Sequence, residues 1–98
     1  MGPSIPENNW VVFAEDEAVW VKYPRDEREK KGDRAGWPWL PGTIVQQSGP
    51  DKWQVCVEHM SVAVREDGSR PTLHTPRNQL YYPLCCRDSS EIRLRSAR

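Results

Sequence analysis

Apolar positions along the chain fall in short runs that alternate with polar ones, and clusters of Pro, Gly, Asp and Ser separate the runs. A period of two puts successive side chains on opposite faces of an extended strand, so the pattern predicts strands rather than helices. Ala18 to Lys22 (AVWVK) has the β-branched and aromatic content of a first strand. Trp39 to Gln47 predicts a second, and Pro41 requires it to start late or lie at an edge, because proline donates nothing to a ladder. SGPD at 48–51 is turn chemistry and predicts a hairpin into Lys52.

The run from Trp53 to Glu66 changes phase. Trp53, Val55 and Val57 share one parity, while Met60, Val62 and Val64 share the other, with the switch near Glu58 and His59. A bulge or sharp bend there would let one long strand serve both halves of a closed barrel. DGSR at 67–70 reads as the next hairpin turn, Pro71 to Thr75 as the returning strand, and TPRNQL as a tight turn before Tyr81 and Tyr82. Met1 to Asn9 is expected to be a flexible lead-in, with order from near Trp10 and Trp10 to Ala14 serving as an added strand or a plug at one barrel end. Tyr23 to Ala35 is polar and reads as a solvated loop with room for a turn of helix. Loops of roughly twelve residues or more are uncommon in compact domains and tend to be functional or disordered. Beyond Leu84 only Ile92 and Leu94 offer anchors, so residues 85–98 are expected as a fraying tail or a short terminal strand. The sum is four to five short, strongly bent strands over 10–84, an all-β barrel without a substantial helix.

Composition narrows the function classes. A chain of 98 residues has room for one core, and 37% apolar content makes that core depend on a few large side chains such as the five tryptophans. Lys and Arg total 14 and so do Asp and Glu, which excludes a domain held to nucleic acid by bulk charge alone. Charge is nonetheless polarised, acidic over the first 20 residues and mildly basic afterwards. Cys56, Cys85 and Cys86 form no disulfide framework, which points to a reducing compartment. No run approaches the ~20 apolar residues of a membrane span, and the N-terminus lacks the pattern of a signal peptide.

The stretch GWPWLPGTIV at 36–45 concentrates two tryptophans and two prolines ahead of β-branched residues. Together with AVWVK it resembles the PWWP domain, whose signature sets a VWAK-like strand shortly before a Gly-aromatic-Pro-Trp-Trp-Pro-Gly/Ala segment. Pro38, Trp39, Leu40 and Pro41 stand in the signature's place, and TPRNQLYYP resembles the segment at which such barrels close. The resemblance spans roughly 18 to 84. It departs in three ways: Leu40 replaces an aromatic, the polar insertion from Tyr23 to Ala35 is longer, and residues after Leu84 hold no counterpart of the family's helices. The wider Tudor-like group of five-stranded, SH3-like barrels fits nearly as well.

The resemblance implies a nuclear, chromatin-associated recognition module that is not an enzyme and needs no cofactor. It implies an aromatic pocket for a histone tail or another protein, with a methyl-lysine held by cation-π attraction. Trp37 matches the first ring of that pocket and Leu40 the place of a second, with Trp20, Tyr23 or Tyr81 available to complete it. Lys22, Arg25, Arg28, Lys30, Lys31 and Arg34 would supply phosphate contacts to DNA, weakly, since Asp26, Glu27, Glu29 and Asp33 are interleaved. The isolated domain is expected to be monomeric. A barrel that has lost its cage and packs on a partner protein through Trp37, Leu40 and a strand edge is the competing reading. Trp39 and Trp20 are expected as core residues and Trp53 as surface packing. His59 and His74 lie near the cysteines without the spacing of a metal site, and neither a nucleophilic site nor a phosphate loop is signalled.

Overall fold

A computed structural model describes residues 12–95. Its strands are β1 (Ala18–Lys22), β2 (Trp39–Gly49), β3 (Lys52–Val57), β4 (Leu84–Arg87) and β5 (Ile92–Leu94), with one short helix, α1 (Glu27–Lys30). They form a single antiparallel sheet in the order β4-β3-β2-β1-β5. Among the described residues the sheet does not close by hydrogen bonding, and β4 and β5 are its edges.

Strict alternation decides which side chains go inside. Val19 and Val21 of β1, Leu40 and Ile44 of β2, Trp53, Val55 and Val57 of β3, and Ile92 of β5 turn to one face. With Phe13 from the preceding segment they make one cluster, in which the Phe13 and Trp53 rings meet edge to face at 5.3 Å. Burying each such side chain contributes roughly 1.5–3 kcal/mol, and that sum holds the sheet. Gly42 lies between Leu40 and Ile44 on the same face. A Cβ there would stand 2.8 Å from the Cys56 carbonyl and 3.0 Å from Val55 Cγ1, so the strands approach too closely for any side chain. The sheet is curled, because Arg87 at the end of β4 donates from Nε to the Lys22 carbonyl at the end of β1, 3.0 Å away.

Several expectations hold. The hairpin through Pro50 and Asp51 is present, with Asp51 at φ 50°, and Trp53, Val55 and Val57 share the buried face while Cys56 faces away. The polar segment does contain a turn of helix. Others are corrected. The run from Trp53 is not one bent strand: β3 ends at Val57, and His59 caps a 3₁₀ turn over Met60–Val62. Pro71 to Thr75 is no strand, since Thr75 N–H closes a turn on the Thr72 carbonyl and only an isolated bridge joins Val64 to Tyr81. Pro41 lies neither at an edge nor before a late start. It pairs with Trp20 in a central strand, but the β3 ladder begins one residue later at Gly42 and Val57, so the missing donor falls where β3 stops. After Leu84, where a fraying tail or a short terminal strand was expected, the terminal strand forms as β5, and β4 from Leu84 to Arg87 is one more than expected.

The tryptophans exchange places with expectation. Trp53 is 3% exposed and belongs to the core, whereas Trp20 is 38% exposed and sits with Trp39 on the outer face. Parity explains both: Trp20 alternates with Val19 and Val21, and Trp39 with Leu40, so the valines and the leucine take the interior. Trp10 and the 1–9 lead-in lie outside the described residues.

Candidate functional site

Tyr23 leaves β1 with its N–H bonded to the Pro38 carbonyl at 3.2 Å, which sets it beside the turn carrying Trp37. Between them the polar segment folds on itself. Asp26 caps α1 by accepting from Glu29 N–H at 2.9 Å, and Glu29 in turn takes the Arg25 guanidinium at 2.7 Å. Those bonds hold the Glu29 carboxyl below its usual range and raise the Arg25 value. The Trp37 indole N–H then donates to the Glu29 carbonyl at 2.7 Å, so the loop orients the ring.

Tyr23 and Trp37 open onto a cleft of about 390 Å³ whose far wall is Ser61, Val62, Ala63 and Val64. Arg87 stands against both rings, its guanidinium carbon 5.6 Å from the Tyr23 centroid and 5.7 Å from that of Trp37. Two carbonyls fix it, Lys22 at 3.0 Å and Cys86 at 2.8 Å. A second cation, Arg34, stands 5.2 Å from Trp37 and is bound through two bonds to Glu91 at 2.7 and 2.8 Å, which raises its pKa. Burial raises the Tyr23 hydroxyl pKa, so the ring stays neutral at physiological pH.

The outer face is arranged differently. Trp20, Trp39 and Arg93 line a shallow depression of about 320 Å³. Arg93 stands 4.2 Å and Lys22 5.3 Å from the Trp39 centroid, and Arg95 stands 5.8 Å from that of Trp20.

Of the five expected pocket residues, only Tyr23 and Trp37 line the cleft. Leu40 is 4% exposed in the core, so that position cannot carry a second ring or a binding surface. Trp20 is on the opposite face, and Tyr81, half exposed, lines a separate depression with Arg65, Glu66, Asp67 and Gln79. The basic residues disperse too: Arg25 and Arg34 are engaged in ion pairs, Lys22 turns to Trp39 and bonds the Ala35 carbonyl, Lys30 lines the cleft, and Arg28 and Lys31 are exposed. Sequence reasoning missed Arg87 and the Ser61–Val64 wall, which only the curl of the sheet brings to Tyr23.

Among the described residues no three His, Cys, Asp or Glu side chains gather as a metal site. His59 spends its Nδ1 on Ser61, accepting from the backbone N–H at 3.1 Å, and exposed His74 bonds only through its backbone, to the Thr72 hydroxyl. Comparison with family models, curated proteins and solved structures returned no match.

Proposed function

We propose that the chain is a non-enzymatic, PWWP-like or Tudor-like recognition module that acts in the nucleus, binding a histone tail through a methylated lysine at the Tyr23–Trp37 cleft. The observation that carries this reading is Arg87 itself. Both rings already attend one cation, their centroids 5.6 and 5.7 Å from its guanidinium carbon, with cation-π attraction worth about 0.5 to 2 kcal/mol per contact. An incoming methylammonium takes that place by displacing Arg87, whose two carbonyl bonds then pass to water. Asp26 and Glu27 line the cleft beside Arg25, Lys30 and Arg70, so the reading rests on the two rings rather than on net charge. The strand order and the single curled core support an SH3-like barrel as the scaffold.

Titration with trimethylated and unmethylated histone-tail peptides, followed by tryptophan fluorescence, tests the proposal. Methylation strengthens binding, and Trp37→Ala removes the difference. Equal binding of both peptides by both proteins refutes it. That outcome favours the second reading, a partner protein docking on the sheet edges, where Leu84 and Leu94 are 55% and 52% exposed.

A further inference from the structure

The outer face of the sheet carries an arrangement that the cleft does not use. Trp20 of β1 faces Pro41 on one side and Arg93 on the other, while Lys22 faces Trp39, so both indoles and two cations share one surface across three strands. Arg95 follows β5 onto the same surface, its backbone N–H on the Ala18 carbonyl and its Nη2 on the Gly42 carbonyl at 3.1 Å. Among the described residues none of Lys22, Arg93 and Arg95 forms an ion pair; the two ion pairs found there lie at the polar loop. The carboxylate of Glu58, which follows β3, lies on the same face, accepting from the Thr43 hydroxyl at 2.5 Å and pairing with none of the three cations.

We propose that this face is a platform for single-stranded nucleic acid, a base stacking on Trp20 while phosphates meet Arg93, Lys22 and Arg95. Three observations select that occupant. The uncompensated cations demand an anion. The half-open Trp20 ring has one cation near it, Arg95 at 5.8 Å, and offers the more open planar apolar surface, whereas Trp39 already carries two cations and serves as their floor. β1 and β2 also have neighbours on both sides, so only the three-residue β5 edge presents free main chain to an extended acidic peptide, and the polyglutamate comparison tests that occupant. Nucleic acid supplies flat rings and regularly spaced negative charge, and needs no main-chain partner. The chain's overall neutrality is compatible with this, because the cations are local.

The test is a fluorescence titration of the whole chain at low salt with oligothymidylate of about ten nucleotides, a length within the usual site sizes. An abasic strand of equal length and polyglutamate serve as comparisons. Oligothymidylate quenches tryptophan emission and binds at least about tenfold more tightly than either comparison. Log affinity falls with log salt at a slope of about −2, as three phosphate contacts on a single strand require. Trp20→Ala weakens binding about tenfold or more, Trp20→Phe retains most of it, and Arg93→Gln reduces the slope by about 0.7. No quenching at low salt, equal binding of the abasic strand or of polyglutamate, or equal binding by wild type and both the Trp20→Ala and Arg93→Gln variants overturns the proposal. Should Trp20→Ala fail to fold, Arg93→Gln and the abasic comparison decide it. Trp37→Ala leaves oligothymidylate binding intact, so this result stands or falls apart from the histone reading.

Discussion

The molecule brings arginine to tryptophan in two places, and the two differ in what they do with the charge. In the cleft, Arg87 is fixed by two carbonyls and Arg34 by Glu91, so the rings are already occupied and the second cation is neutralised. On the outer face, Lys22, Arg93 and Arg95 surround Trp20 and Trp39 without a carboxylate partner among the described residues. The same residue types are thus tied to carboxylate and carbonyl partners in one place and to carbonyls and rings alone in the other. What separates them is the carboxylate nearby, not the rings.

The largest expected effect comes from the core between the faces. Trp53→Ala, which removes the ring beneath Phe13, lowers stability by about 3–5 kcal/mol in urea unfolding, against less than about 1 kcal/mol for outer-face Trp20→Ala. Equal losses would mean that the two faces are not distinct. Next is Arg87→Ala: it removes both a competing cation and a like charge, and raises affinity for a trimethyl-lysine peptide about tenfold, the equivalent of one displaced cation-π contact. Arg87→Gln reproduces the gain if loss of the β4 tether destabilises the alanine variant. Arg34→Ala has a smaller consequence. The Arg34–Glu91 pair is half exposed on the arginine side, so its loss costs at most about 1 kcal/mol, read as a shift in urea midpoint.

The smallest effect separates neighbouring cysteines. Cys85 points inward against the core and burial raises its thiol pKa, while Cys86 points outward and is exposed. A thiol whose folded pKa is raised favours the folded state below the unfolded value, and that contribution is lost as pH rises through the folded pKa. Stability therefore declines as pH climbs past the ordinary value of 9.0, and Cys85→Ala flattens the decline. Thiol labelling of the native protein at neutral pH reaches Cys86 well before Cys85.

How much was legible beforehand follows from the range of each interaction. Alternation within one strand is local, and it located β1, the β2–β3 hairpin and the shared face of Trp53, Val55 and Val57, although Trp53 itself was expected as surface packing and lies in the core. The same alternation was available for Trp20 and Trp39, but size was taken as the guide to burial, and β-branched neighbours at the other parity won the interior. Trp37 was placed in the pocket through the family resemblance and Tyr23 as one of three rings that could complete it, and the cap and ion pair of the polar segment joining them are written locally. Arg87 was missed, since it reaches Lys22 across 65 residues through the curl of the sheet. Leu40 was assigned to the pocket through the family resemblance, whereas its parity with Ile44 puts it inside.

The most direct measurement follows the indole N–H signals of the five tryptophans by NMR while a trimethyl-lysine peptide is added. Trp37 donates to the Glu29 carbonyl beside the cleft, so its signal and the Arg87 Nε–H move together and saturate at one affinity, while Trp20 and Trp39 stay still. A peptide that binds without shifting Trp37 and Arg87, or that shifts the outer-face indoles instead, contradicts the cleft as the site of recognition.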